Sequence, residues 1–266
     1  MSHPTHEARN SIALAALSEP AELGRPLVDK LGRVVALTAA EKAYLQDMQA
    51  DFATVRSRGD IITAGYAYQG IFVLNRGTAI RYKILRDGRR QVLGVFLPGD
   101  FIGFPGGLFE KALYSVTTLT DAVICAVPFD TIFELFHRFP RLAMALFWLT
   151  SRETALFTER LVGIGRQSAY ERVAHLLLEL LVRLQGTGLA DARSYELPLT
   201  QELMADALGL SVPHVNRTLR RLRDEGLISI DGQRVSFSDV DSLSRLVDFD
   251  RAYLGIGTIP RKVPAL

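Results

Sequence analysis

The sequence predicts an α+β chain: an N-terminal β-roll (a jelly roll), a long dimerisation helix and a C-terminal winged helix-turn-helix. Three observations carry that order. Residues 51–127 run as short β-branched and aromatic segments between regular turns, the texture of an antiparallel sandwich. Beyond Pro140, Leu142, Leu146, Leu149 and Leu156 recur at spacings of four, three and seven, the trace of a coiled-coil seam. Finally, Leu199–Ile230 reads as two helices about a glycine turn, with a hairpin to follow.

Composition frames these elements. A chain of 266 residues, 48% of them hydrophobic, can bury two cores. Its formal net charge of +2 means that any basic surface must be local. Cys125 is the only cysteine, which excludes an intramolecular disulfide and an all-cysteine metal or iron–sulfur site within one chain. No apolar run approaches the roughly 18 residues of a membrane span. The start MSHPTHEARN lacks a secretory pattern, so the expectation is a cytoplasmic protein that does not engage membranes.

Taken in order, residues 1–36 form an extension broken by Pro4, Pro20 and Pro26, expected to be partly mobile with a short helix over Ile12–Leu17. The roll domain spans 37–137. It opens with a capping box, Thr38 to Glu41, on a helix reaching about Met48. Its turns include Gly77, Gly88 and Gly99, eleven residues apart, and Gly70–Leu74 and Ala79–Ile84 fit strands with one buried face. Pro128 starts a helix over Phe129–His137. Residues 138–166 hold the long helix, with Leu142, Leu146, Leu149 and Leu156 as the dimer seam and Gly163 and Gly165 as an interrupting hinge. The same leucines also suit packing on the chain's own roll, and both uses are expected on different faces. Residues 167–254 form the winged helix domain, entered by a helix over Ala169–Leu184, and 255–266 are an expected disordered tail.

In the C-terminal domain, Thr200 suits the N-cap of a helix over Gln201–Leu208, Gly209 makes the turn, and Ser211 caps a second helix to about Glu225. Pro213 is tolerated because a first-turn N–H has no helical partner. Val215, Leu219 and Leu222 make one apolar stripe, while Pro213, Arg217, Arg220 and Asp224 point away from it and His214 and Arg221 flank them. Four arginines and no acid lie between Ser211 and Arg223, which suits a helix laid between phosphates in the major groove of double-stranded DNA. The alternative is an ordinary amphipathic hairpin with a solvated arginine face. Leu227–Ile230, Asp231-Gly232 and Gln233–Phe237 form a hairpin, the wing. Ser238 or Asp239 is placed to cap a last helix to about Leu254.

From about Leu37 to Leu246 this arrangement resembles the CRP/FNR family of bacterial transcription regulators. The closest verbal matches are Pro98-Gly-Asp-Phe-Ile-Gly-Phe104, Cys125-Ala-Val-Pro-Phe129 and Leu208-Gly-Leu-Ser-Val-Pro-His-Val-Asn-Arg217, nearer the FNR branch. The resemblance implies a cyclic-nucleotide-binding-like roll and a homodimer on a palindromic promoter site, acting on RNA polymerase, often as an activator. It implies that Arg217 reads a guanine, whose O6 and N7 fit the guanidinium fork, and that Asn216 touches a base. Ser211, Val212, Pro213, His214, Arg220 and Arg221 complete the candidate DNA surface. Many members have a glutamate where Pro213 stands, so the usual half-site does not carry over. His214 is placed either to take that duty or to touch phosphate.

The sensor side is read mostly by what is missing. The resemblance implies a glutamate for the ribose and an arginine for the cyclic phosphate, but Phe104 and Tyr114 stand near those places. A buried phosphate without a fixed cation is an uncompensated charge, so cyclic AMP is not expected. Nor is an iron–sulfur cluster, because Cys125 matches one ligand position and the extension supplies none. Haem on His137 is not expected either, and His3, His6 and His175 show no metal-ligand spacing. Cys125 reads as a packed apolar side chain rather than a redox centre. No cofactor is therefore predicted; Phe101, Phe104, Phe109 and Tyr114 either line a pocket for an unidentified ligand or belong to the core. A ligand-gated sensor acting mainly through protein–protein interaction is the alternative to a DNA-binding regulator. No nucleophile–base pair, metal site or phosphate loop points to an enzyme.

Overall fold

A computed structural model describes residues 24–68, 70–104 and 109–255. The expected helix at 12–17 and most of the 255–266 tail lie outside the described residues. The extension is not uniformly loose, however. Helix α1 (Arg25–Gly32) buries Leu27 and Leu31, one turn apart, in the core of the roll domain. The turn at Gly99 backs directly onto it, so that a side chain there would begin 2.6 Å from the Pro26 carbonyl oxygen. Gly99 also has φ 81°, a conformation that favours glycine. The expected boundary at residue 36 therefore falls inside a packed unit.

Helix α2 (Ala39–Asp47) is held by its capping box, with Glu41 N–H donating to Thr38 Oγ1 and Thr38 N–H donating to Glu41 Oε2. Eight strands follow: β1 (Phe52–Val55), β2 (Asp60–Ile62), β3 (Ile71–Arg76), β4 (Ala79–Ile84), β5 (Arg90–Phe96), β6 (Phe101–Ile102), β7 (Ser115–Thr118) and β8 (Ala122–Val127). They make two antiparallel sheets, β1-β8-β3-β6 and β2-β7-β4-β5, the predicted roll. Ile62, Leu74, Phe96, Ile102, Val116 and Ile124 fill the space between the sheets.

Helix α3 (Phe129–Arg138) leads to α4 (Pro140–Arg166). At 1.5 Å per residue α4 is about 40 Å long. Two expectations change here. Gly163 and Gly165 do not interrupt the helix, which keeps its hydrogen bonds as far as Gln167 N–H to the Gly163 carbonyl. The break comes at Gln167, whose backbone is extended, and Ser168 then opens α5 (Ala169–Gln185) with its own capping box to Glu171. The leucine seam also faces inward. Leu142 and Leu146 are buried with Val73, Cys125 and Val127 of the roll, Leu149 packs against the same cluster, and Leu156 is buried in the cluster that holds Ile80 and Val92. The outward stripe is instead Phe147, Ser151, Thr154, Thr158 and Leu161, with Phe147 66% and Leu161 73% exposed.

The C-terminal domain comprises α5, β9 (Ser194–Glu196), α6 (Gln201–Leu208), α7 (Val212–Asp224), β10 (Ile228–Asp231), β11 (Arg234–Phe237) and α8 (Val240–Leu246). The wing gains an unforeseen third strand, β9, whose buried Tyr195 donates its hydroxyl to the Leu177 carbonyl. The last helix stops at Leu246 rather than Leu254. Asp248 takes a left-handed φ of 51°, and the chain returns as a 3-10 turn over Arg251–Leu254. That return lets Phe249 and Leu254 pack into the same core as α5.

Domain placement is fixed by buried charge. Arg183 on α5 donates to the Val95 carbonyl, to Asp100 at 3.3 Å and to Glu179 at 3.0 Å. Asp100 also pairs with Lys30 of α1 and accepts from Leu97 N–H. Arg160 on α4 reaches Glu179 and the Leu93 carbonyl. On the roll's flank, Arg90 of β5 pairs with Asp206 of α6 at 2.7 Å. Burial pushes the Asp100 carboxyl up, but Lys30, Arg183 and Arg152 together outweigh it and hold it down to about 2.

Because that value lies below the 3.8 of a free aspartate, Asp100 stabilises the fold above 3.8, and the contribution fades as pH falls toward about 2. Asp100→Asn is expected to cost about 3–5 kcal/mol at neutral pH, the effect of breaking a buried pair. Urea unfolding across acid pH should show the gap between wild type and variant closing in that window.

Candidate nucleic-acid interface

The two helices that carry the candidate surface are fixed locally. Thr200 caps α6 by accepting from Leu203 N–H, and Gly209 ends it in the left-handed conformation at φ 62°. Ala205 and Leu208 of α6 meet Val215, Leu219 and Leu222 of α7 in one buried cluster. Ser211 occupies the N-cap position of α7 with extended backbone, yet its side chain makes no capping hydrogen bond. Its expected capping role is thereby corrected, and the hydroxyl is left on the surface.

Ser211, Val212, Pro213, His214, Asn216, Arg217, Arg220 and Arg221 are all exposed. They are not equivalent. Arg217 and Arg220 have no ion-pair or hydrogen-bond partner among the described residues. Arg221 is already engaged. Its Nε donates to Glu225 at 2.7 Å, its guanidinium lies 4.5 Å from the centre of the Tyr170 ring, and the Tyr170 hydroxyl donates to the same carboxylate at 2.5 Å. It forms a clip between α5 and α7, and a phosphate contact there has to compete with Glu225. Asn216 Nδ2 donates to Gln201 Oε1 at 3.1 Å, which brings Gln201 onto the same surface, a residue the sequence reading passed over. Exposed Arg223, without an ion pair among the described residues, adds charge at the far end of α7.

The wing turns at Gly232, with Asp231 opposite Arg234. Arg234 is neutralised by Asp191 at 2.5 Å and Glu196 at 3.4 Å and Asp231 is exposed at the turn, so the wing offers backbone and a carboxylate rather than an unpaired arginine. The net result is one exposed ridge along α7 on which positive charge is uncommitted. Uncommitted cations on an exposed helix are what the phosphates of duplex DNA attract.

The four aromatics, read either as a ligand pocket or as core, do not converge on one space, and Phe101, Phe104 and Tyr114 pack against the buried clusters. Phe101 and Phe104 meet with ring centres 6.4 Å apart beside α4, where they border a cavity of about 20 Å³. Phe109 is 57% exposed, and Tyr114 lies under the Arg81 guanidinium. Arg81 is the residue that sequence reading missed. It projects from β4, is sandwiched by Phe96, Tyr114 and Phe157, and pairs with Glu153 of α4 at 2.9 Å. The cavity beside it is about 10 Å³, room for one water. The chain's own ion pair fills the space between roll and long helix.

Cys125 is buried with Sγ 3.7 Å from the Met48 carbonyl, and burial, with the Asp51 charge adding, pushes its thiol up to about 12. That places it among packed side chains, far from thiolate chemistry at neutral pH. His137 is exposed at the end of α3. Among the described residues no helix is long and apolar enough to cross a membrane, and no group of three or more histidine, cysteine or carboxylate residues is arranged to hold a metal.

Residues 171–246 match the Crp-like helix-turn-helix domain and residues 54–139 the cyclic nucleotide-binding domain. The transcriptional activator protein FnrL of Cereibacter sphaeroides is 34% identical over 161 residues, 59% of this chain and 64% of FnrL, so the match spans under two thirds of that protein. The transcriptional activatory protein AadR of Rhodopseudomonas palustris is 33% identical over 170 residues, 62% of this chain and 69% of AadR. Among solved structures, FixK2 from Bradyrhizobium japonicum aligns with a TM-score of 0.67 at 25% identity, covering 74% of this chain and 96% of FixK2.

The two arginines at 217 and 221 should separate experimentally. Arg217→Ala is expected to lose about 1–3 kcal/mol of base discrimination per half-site with unchanged thermal unfolding. Arg221→Ala should keep the preferred base sequence and lower the melting temperature. Competition gel shifts and calorimetry on both variants check the pair.

Proposed function

The chain belongs to the CRP/FNR family of transcription regulators, and on that premise we propose that it works as a homodimer on a palindromic promoter site, one α7 per half-site. The observation that carries this is the uncommitted charge of Arg217 and Arg220 on an exposed ridge of a well-packed helix-turn-helix. Arg217 is positioned to read a guanine through O6 and N7, with Ser211, His214 and Arg220 taking neighbouring bases and phosphates. The names of FnrL and AadR support activation rather than repression. Activation in turn implies a contact with RNA polymerase in the cytoplasm.

Dimerisation is assigned to the outward stripe of α4, Phe147–Leu161, continued by exposed Met144 and Phe157. Exposed Met144, Phe147, Phe157 and Leu161, spaced by small polar residues, leave apolar surface on a long helix that is costly unless covered, and a second copy presents the same residues in register. The roll's regulatory role is read from Arg81. A cyclic phosphate between roll and α4 has to displace the Arg81–Glu153 pair, so neither cyclic AMP nor a cluster on the lone, buried Cys125 is assigned. The output is binding, not catalysis.

Selection from random duplexes with the full chain is expected to enrich an inverted repeat whose affinity falls steeply with salt. Recovery of no motif, with no salt-dependent binding to any duplex, would remove the proposal. Phe147→Glu combined with Leu161→Glu should yield a folded monomer by sedimentation that loses at least tenfold affinity for the repeat. Leu146→Glu, on the inward face, should instead unfold the roll domain.

A further inference from the structure

A cavity of about 300 Å³ lies between α1, α4, the end of α5 and the Arg251–Leu254 turn. It is far larger than the spaces beside the roll, and it reaches the size range of small-ligand sites. Its lining includes Lys30, Arg33, Arg152, Arg183 and Arg251, with no carboxylate among the lining residues, and one aromatic wall, Trp148. The nearby acids are already taken: Asp100 by Lys30 and Arg183, Glu179 by Arg183 and Arg160, Glu153 by Arg81, and Asp241 by Arg251.

Arg152 is the informative member. It makes no ion pair or hydrogen bond among the described residues, and its Nε is buried without a partner. Asp100, Glu153 and Glu179 attract it through space, but a buried Nε–H without an acceptor is costly, and an anion in the cavity would supply one. Burial and the adjacent Arg183 push its pKa below the usual arginine value. Arg33, at the exposed rim, has no partner among the described residues either. Trp148 is held in place by the backbone of Gly255, where a side chain would begin 2.5 Å from the ring.

We propose that this cavity binds a small organic oxyanion, its phosphate or carboxylate on Arg152, Arg33 and Lys30 and its apolar body on Trp148. The walls come from the extension, the long helix and the DNA-binding domain. A ligand there bridges sensor and output without entering the roll, whose own space Arg81 fills.

Trp148 is the only tryptophan in the chain, so its fluorescence reports on the site directly. The full-length protein, without DNA and at constant ionic strength, is titrated with phenyl phosphate, benzoate and inorganic phosphate. A saturable change with phenyl phosphate that inorganic phosphate competes away identifies a phosphate site. A saturable change with benzoate that phosphate does not compete away identifies a carboxylate site. Arg152→Met is expected to weaken either by about tenfold or more, as loss of a charge-assisted contact does. Arg33→Ala, an exposed rim change that leaves the core intact, should weaken it several-fold even if the first variant folds poorly. Arg217→Ala should leave the titration unchanged. Linear changes with all three probes, or curves identical in wild type and Arg33→Ala, would overturn the proposal. Since no DNA is present, that failure is separate from a failure of the DNA-binding assignment.

Discussion

Arg183 is the side chain on which the relation between the two halves depends. It leaves α5 in the C-terminal domain and ends against Val95 and Asp100 of the roll. Two carboxylates share Lys30, Arg160 and Arg183 around it. Buried ions of this kind add little net stability, because desolvation offsets most of their attraction. What they impose is geometry, since each guanidinium needs its acceptors in plane and in reach. Together with the Arg90–Asp206 pair outside, they hold α6, and hence α7, at one angle to the roll. The break at Gln167 is therefore a corner braced by charge rather than a free hinge.

That bracing changes the meaning of the long helix. Its leucines, read as a seam between subunits, serve the chain's own core, and the face left for a partner begins at Phe147 and ends near Leu161. A helix covered on two sides carries two overlapping stripes, and leucine periodicity alone does not say which one meets the roll. The outward stripe was hard to see because Ser151, Thr154 and Thr158 interrupt it. The glycines misled for a related reason. Gly163 lies buried inside a continuous helix, where a side chain would start 3.0 Å from Gln167 Oε1, so it marks close packing and not a stop.

Local signals were read well. The Thr38 capping box, the Gly209 turn, the Asp231-Gly232 hairpin and the stripe Val215–Leu222 depend on residues a few positions apart, and the structure has each. Long-range partners were not legible. Arg221 looked as available as Arg217 until Glu225 proved to be shared with Tyr170, 55 residues earlier. Nothing near Arg81 in the sequence marks it, because its partner is a carboxylate 72 residues on, and the family resemblance points instead to the loop after Asp100. The basic cavity around Trp148 draws its walls from residues 30 to 255, and no motif announces it.

The central claim is that two copies of α7 each place Arg217 on a guanine in successive major grooves. Methylation interference on the selected duplex tests this directly, because a methyl group on guanine N7 blocks a guanidinium fork. The account predicts two symmetric guanines whose methylation prevents binding, about one helical turn apart, and their loss as interference sites in Arg217→Ala. A binding site with no interfering guanine, or with the same pair in the variant, would contradict it.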